Sequence, residues 1–220
     1  MVASLKSKLG GLTAASLTDA VGRLRSHRAH ILDLVSPTPR RVLFGRAATI
    51  RYVPYRQDLF EEGPTGFARC FYEAVAGDFE QTVLVLDNPG HADASIGGAV
   101  KFSRLHNHGM AGLITDARLR DFDQLAGYGP VFYCGGEAAE AGSRTLMPIA
   151  VNVPVHLGGT TIVPGDYIYA DPAAAVVIPA SLIDRVLALA REIDKQDEAS
   201  LQAIRVEDPR EVRQRGSDEV

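Results

Sequence analysis

Arg120 and Asp121 stand side by side near the end of the segment Gly112-Leu-Ile-Thr-Asp116-Ala-Arg118-Leu-Arg120-Asp121, which closes with Phe122-Asp123-Gln124. A guanidinium is a planar fork matched to a carboxylate, and an aspartate beside it is an oxygen ligand suited to a hard cation. The apolar run 110–114 just before them reads as a short buried strand. In open α/β sheets ligands gather outside the carboxyl ends of strands, so this burst of charge sits where chemistry is expected. The residue types suggest a metal-assisted site for a small anionic acid. The plainer alternative is a surface ion pair with Arg118 or Asp123, worth little to stability or function.

Three further groups bear on chemistry. Gly97-Gly98 precedes a helix expected to start near Ala99, and the free N–H groups of a helix start form a cradle for a carboxylate or phosphate. The same pair also serves as a simple loop-to-helix joint. Asp87, followed by His91 and Asp93, ends the strand 82–86 and either shares a mouth with Asp121 or supplies turn chemistry. His106-Asn107-His108 falls at a helix end without metal-ligand spacing, on adjacent positions that face different ways, and reads as surface polarity. Neither a nucleophile-elbow serine nor a phosphate-loop lysine pattern occurs, which argues against acyl transfer and nucleotide hydrolysis.

The elements that must position these residues read as follows. Helices are expected over 12–24 (with Ser16 or Thr18 as caps), 67–76, 99–108, 121–126 and from 181 onward; strands are expected over 42–53, 82–86, 111–115 and 130–133. Gly45 marks a bulge or a close approach of two backbones. Strand and helix alternate from 42 to 133, the pattern of a parallel βαβ layer. Short β runs at 153–155, 160–163, 167–170 and 175–178, separated by Gly and Pro, predict a meander packed on that core. The expected fold is a single α/β domain over residues 1–206, layered α/β/α or β/β/α, followed by a charged C-terminal tail at 207–220.

With 220 residues, 46% hydrophobic and 23% charged, the chain has enough material for one core. A net charge of −4 argues against a nucleic-acid binder. Cys70 and Cys134 are far apart and read as reduced, buried thiols of a cytoplasmic protein. The first residues lack the apolar core of a signal peptide, and no run approaches the roughly 18 to 20 apolar residues of a membrane span.

Taken together these segments resemble the RraA-like family, which includes the class II 4-hydroxy-4-methyl-2-oxoglutarate aldolases and the regulators of ribonuclease E activity. The landmarks are Leu17-Thr-Asp19-Ala20, residues 45–49, 83–87 and 98–121, Asn152-Val-Pro-Val155, Gly158-Gly159, Val163-Pro-Gly-Asp166 and Ala170-Asp171. The resemblance implies that Arg120 holds the pyruvoyl group of a small 2-oxo acid and that Asp121 binds Mg²⁺ or Mn²⁺, mostly through water. It implies that amides after Gly98, those of Val100 and Lys101, meet the carboxylate. It further implies a homo-oligomer, trimer or hexamer, with the site at a subunit interface crossed by an acid for which Glu198 is the candidate.

Two departures from the aldolase pattern stand out. Ala99 replaces the acid expected directly after the glycine, and Gln124 replaces an acid three positions after Asp121. Losing a proton-carrying carboxylate typically costs about 10² to 10⁴ in rate. Asp87, Asp93 or Asp116 are the acids placed to compensate, or Lys101 to take over part of the charge. The resemblance therefore implies a metal-dependent lyase, retro-aldolase or decarboxylase, that releases pyruvate through an enolate. A non-catalytic regulatory protein, or an enzyme with altered chemistry, stands beside it because of Ala99.

Overall fold

The computed structural model describes residues 7, 9–62, 66–91, 93–209 and 213, and most of the charged tail expected at 207–220 lies outside them. The chain runs through α1 (Ala14–Leu24), β1 (His30–Ile31), β2 (Leu43–Pro54), α2 (Gln57–Glu62), α3 (Phe67–Val75), β3 (Thr82–Leu86), β4 (Ser95–Gly97) and α4 (Ala99–Asn107). It continues with β5 (Gly112–Thr115), β6 (Arg118–Leu119), α5 (Phe122–Ala126), β7 (Val131–Tyr133), β8 (Leu146–Val151), β9 (Val155–Leu157), β10 (Thr160–Ile162), β11 (Tyr167–Ala170), β12 (Ala175–Ile178) and α6 (Ile183–Ile204).

One sheet organises the whole, in the order β1-β12-β11-β2-β3-β5-β7, with β8 pairing β2. Strands β2, β3, β5 and β7 are parallel, and the helices α3, α4 and α5 make the crossovers between them. A parallel strand wrapped on both faces has no polar side, and β3 is buried at all five positions. Its even residues, Leu84 and Leu86, pack with Phe71, Phe102 and Phe132 under the crossover helices. Its odd residues, Val83 and Val85, face Val155, Leu157 and Ile162 of the β9–β10 hairpin. Farther along the helical face, Phe44, Tyr167 and Tyr169 pack against Leu17, Val186 and Leu187 of α1 and α6. Helices thus cover one face and a β hairpin the other, so of the two expected layerings β/β/α is the one formed.

Several local expectations need correction. The cap of α1 is Thr13, whose hydroxyl accepts from Ser16 N (3.3 Å) while Ser16 Oγ accepts from Thr13 N (3.2 Å). Ser16 is therefore the returning arm of the capping box, and Thr18 lies inside the helix. The strand expected at 153–155 begins only at Val155, because Asn152 turns the chain at φ 50° and Pro154 offers no N–H. β8 was hidden in the sequence by Pro148, which reads as a strand breaker but is tolerated on an edge strand. The final runs do not form a layer of their own: β11 pairs antiparallel with β2, and β12 with β11, so they extend the sheet past its parallel half. Both cysteines are free and buried, and no helix among the described residues is long and apolar enough to cross a membrane.

Gly45 is a close approach. A Cβ there would lie 2.5 Å from Gln81 O and 3.1 Å from Val83 Cγ2, where β2 first meets β3. Arg46 N donates to that same Gln81 carbonyl at 2.8 Å, so the strand cannot retreat without breaking the ladder. Gly45→Ala is expected to cost about 1–3 kcal/mol, the usual range for overpacking a tight site, read as a lowered urea midpoint at unchanged slope.

Candidate functional site

The site is built where the short parallel pair β4–β6 brings residues 97–98 against 119–121. Leu119 pairs with Gly97, and Arg120 N donates to Gly97 O at 3.0 Å. The chain then turns sharply at Asp121, which sits in the left-handed region (φ 63°, ψ 43°), a conformation that Asp tolerates better than most residues. That turn swings the carboxylate toward the start of α4. There Oδ2 accepts from Ala99 N at 3.1 Å, with Arg120 Nε 3.5 Å away. Gly98, the N-cap of α4, has no side chain to satisfy the helix start. Asp121 supplies the missing acceptor from 22 residues downstream, and its negative charge complements the positive end of the helix.

Both glycines are required by contact. A Cβ on Gly98 would overlap Asp121 Oδ2 and reach within 2.5 Å of Arg120 Cγ; one on Gly97 would lie 2.7 Å from Lys101 Cδ and 2.8 Å from Phe102 Cζ. Gly98 thus seats the Arg120-Asp121 pair, and Gly97 seats the stem of Lys101. Above these seats opens a cavity of about 320 Å³, whose walls include Phe67, Ile96, Lys101, Arg104, Arg120 and Asp121. Lys101 Nζ donates to Ile96 O at 2.6 Å and stands 4.9 Å from the centre of the Phe67 ring. Burial, reinforced by the guanidiniums of Arg104 and Arg120, pulls its ammonium down from 10.5 to about 8. The amides of Val100 and Lys101 lie in the first helical turn, ahead of the first intrahelical bond from Phe102 N to Gly98 O (3.0 Å). This wall suits an anion with a carboxylate and a neighbouring carbonyl.

The remaining sequence candidates lie elsewhere. Gly98, Val100, Lys101, Arg120 and Asp121 line the cavity together; Asp87 and Asp116 do not. Asp87 and Asp116 follow the paired ends of β3 and β5, beyond Leu86 and Thr115. Asp87 Oδ1 accepts from Tyr52 N (2.6 Å), and Asp116 Oδ2 accepts from Gly158 N (3.0 Å). Burial pushes both carboxyls above their usual range, and Asp116 adds to the effect at Asp87. Their bonds tie the strand ends to β2 and to the β9–β10 turn, outside the cavity, so they do not replace the acid missing at position 99. Glu198 is exposed on α6, and Gln124 is exposed on α5. His91 N donates to Asn88 Oδ1 in a turn (3.1 Å), His106 stacks on Tyr128, and His108 on Phe79.

Sequence reasoning missed Phe67 and Arg104, which reach the cavity from two different helices. It also missed Glu137, whose Oε1 accepts from Phe122 N (3.0 Å) and which lines a neighbouring depression with Arg120 and Asp121. The helical spacing of Lys101 and Arg104 (i, i+3) was a usable signal, since it stacks two cations on one face. Nothing local in sequence points to Phe67 or Glu137.

The fit to a divalent cation can be judged from the donors. Among the described residues no three of His, Cys, Asp or Glu cluster as a metal group. Asp121 is the one described carboxylate lining the cavity; it already accepts an amide, stands beside Arg120, and shares the lining with Lys101 and Arg104. Three cations against one carboxylate repel a further cation. The lining from one chain therefore does not fit Mg²⁺ or Mn²⁺, and an acid from a second subunit would be needed to complete such a site.

A family profile described as RraA-like (Aldolase/RraA) matches residues 14–177, about three quarters of the chain. The chain belongs to the RraA-like family. A Halalkalibacterium halodurans relative, provisionally named a 4-hydroxy-4-methyl-2-oxoglutarate aldolase, is 32% identical over 136 residues, covering 62% of this chain and 62% of the relative. Protein DlpA of Legionella pneumophila is 26% identical over 66% of this chain but only 23% of its own length. The matches thus span less than two thirds of either relative. Among solved structures, an uncharacterised Pseudomonas syringae pv. tomato protein shares the fold, with a TM-score of 0.79 and 24% identity over 98% of this chain and 95% of that one. Streptomyces coelicolor RraAS2, described as an unusual member of the RNase ES inhibitor RraA protein family, follows with a TM-score of 0.76 and 25% identity over 90% and 95%. The RraA-like family thus carries both aldolase and regulator names, and the chain shares its fold from end to end of the matched region.

Two outcomes follow from the geometry. Gly98→Ala would displace Asp121 Oδ2 and the Arg120 stem and press on the Arg120 carbonyl, so it is expected to weaken oxalate binding at least about tenfold by calorimetry and to lower the thermal midpoint as well. Lys101 releases its proton near pH 8 when folded but near 10.5 when unfolded. The unfolded chain therefore binds the extra proton between these values, and this group's contribution to stability rises with pH across that window. The stability of the native chain relative to that of Lys101→Met, followed by urea unfolding, is expected to rise from pH 8 to pH 10.

Proposed function

We propose that the chain is a carbon–carbon lyase that takes a small 2-oxo acid and releases pyruvate by retro-aldol cleavage or decarboxylation. One observation carries this reading: Arg120, the first turn of α4 and Lys101 line a single cavity together with the carboxylate of Asp121. Arg120 is suited to hold the substrate carboxylate bidentately, and the amides add the positive end of the helix. As the bond breaks, electrons collect as an enolate on the former keto oxygen. A fixed positive wall in a partly closed cavity stabilises that charge most where it develops, which is the largest kind of term in such reactions. Asp121 is the acid in place to carry a proton to the enolate carbon. The aldolase names among the relatives support the reaction class.

Assembly as a trimer or hexamer is part of the same proposal. Leu201 and Ile204 on α6, and Val206 just beyond it, are large apolar side chains left exposed in the single chain. Such an assembly would let Glu198 of one subunit approach the site of another, and its acid would be the added ligand that Mg²⁺ or Mn²⁺ needs here.

A regulatory protein without catalysis is the second reading, and Ala99 favours it. Its side chain is buried, 2% exposed, where the aldolase pattern has an acid. Pyruvate release from oxaloacetate and from 4-hydroxy-4-methyl-2-oxoglutarate, coupled to lactate dehydrogenase, separates the two. The lyase reading expects turnover that Arg120→Ala lowers by about 10² to 10³, the scale of removing one transition-state donor. No turnover of either acid, with or without added Mg²⁺, would contradict it.

A further inference from the structure

We propose that Ser95 is a specificity-determining residue of this cavity, its hydroxyl donating to the second carboxylate of a five-carbon 2-oxo diacid whose first carboxylate is held by Arg120. The inference rests on the lyase reading for the place of the first carboxylate and adds the far half of the substrate. Ser95 opens β4 and lines the same cavity as Arg120 and Asp121. Its backbone is fixed on both flanks: Ser95 N donates to Glu140 O at 2.9 Å, and the residue pairs with Arg118 of β6 and bridges Ala141. Gly142 lets the second flank close, since a Cβ there would lie 2.6 Å from Ser95 O. Ser95 is only 2% exposed, yet among the described residues its Oγ has no hydrogen-bond partner. Buried hydroxyls are ordinarily paired, and one left unpaired on a cavity wall is a group that a ligand satisfies with gain.

Position and charge together select the ligand. Ser95 stands three residues before Gly98, about 8 to 10 Å away along a nearly extended chain. A three-carbon acid anchored at the start of α4 is too short to reach it, whereas a five-carbon chain with a polar group at its far end spans the gap. Lys101, held as an ammonium between the Ile96 carbonyl and the Phe67 ring, lines the cavity with Arg104 and Arg120, and Asp121 is the single described carboxylate among them. A monoanion leaves that wall in positive excess, and a dianion balances it. A hydroxyl that donates to a carboxylate makes a charge-assisted bond, stronger than one between neutral groups. An analogue without the second carboxylate leaves Ser95 Oγ buried and unpaired, and a site of that kind discriminates sharply against it.

The test is calorimetry on the full chain, native and Ser95→Ala, with 2-oxoglutarate and 2-oxopentanoate. The two acids have the same chain length, differ in the far carboxylate, and lack the 4-hydroxyl that retro-aldol cleavage requires. The native chain is expected to favour 2-oxoglutarate at least about tenfold. Ser95→Ala is expected to weaken 2-oxoglutarate about tenfold, the scale of one hydrogen bond to a charged group, and to leave 2-oxopentanoate within about twofold. The thermal midpoint of the variant is expected not to fall, because the hydroxyl it removes has no partner among the described residues. Unchanged affinity of Ser95→Ala for 2-oxoglutarate overturns the role of Ser95 and leaves the lyase reading intact. An equal loss of both acids also overturns it, as does a native chain that binds no 2-oxoglutarate. Binding of 2-oxoglutarate that depends on Ser95, without pyruvate release from either substrate named above, upholds this role and overturns the lyase reading alone.

Discussion

The contact between two consecutive glycines and the Arg120-Asp121 turn is the constraint on which the site depends. Gly97 and Gly98 end a two-strand pairing and begin α4, and each lacks a Cβ that would strike a functional side chain. The backbone bond from Arg120 N to Gly97 O fixes the register, and the bond from Ala99 N to Asp121 Oδ2 closes the clasp. A helix start, a fork-shaped cation and a carboxylate are brought together by two bonds and two missing methyl groups. The parallel sheet behind them matters chiefly as a rigid support: β3 and β5 are buried throughout, so the loops at their ends are held on a frame that does not yield.

Charge then decides what the clasp can hold. An isolated helix start attracts anions weakly, and an exposed Arg–Asp pair contributes little. Here the same groups share a partly enclosed space with Lys101 and Arg104, and the positive side outnumbers the negative. The substitution of Ala at position 99 is part of that balance. An acid there would restore a second negative charge beside Asp121; alanine instead buries its methyl and leaves the wall cationic. The lining from one chain is accordingly better matched to an anion than to a metal ion.

Much of this was legible in the chain. The βαβ alternation, the strand 82–86 and the helix beginning at Ala99 follow from periodicity and glycine placement, because each lies in a segment whose own pattern dictates its state. The Arg120-Asp121 pair was legible for the same reason: charge at a strand exit is visible locally. What was not legible depends on contacts distant in sequence. Pro148 disguised an edge strand, and the two-residue β6 is too short to carry a pattern. Capping of α4 by Asp121 joins positions 22 apart, and Phe67 enters the cavity from a different crossover helix. Asp87 and Asp116 were placed with the site because they too follow strands; the fold ties one oxygen of each, to Tyr52 N and Gly158 N, away from the cavity.

The most direct measurement is a crystal structure of the assembled protein soaked with pyruvate and Mn²⁺, the metal being visible by its anomalous scattering. The account predicts the carboxylate between the Arg120 guanidinium and the first-turn amides of Val100 and Lys101. Pyruvate bound outside this cavity, or with its carboxylate turned away from Arg120, would contradict the site itself.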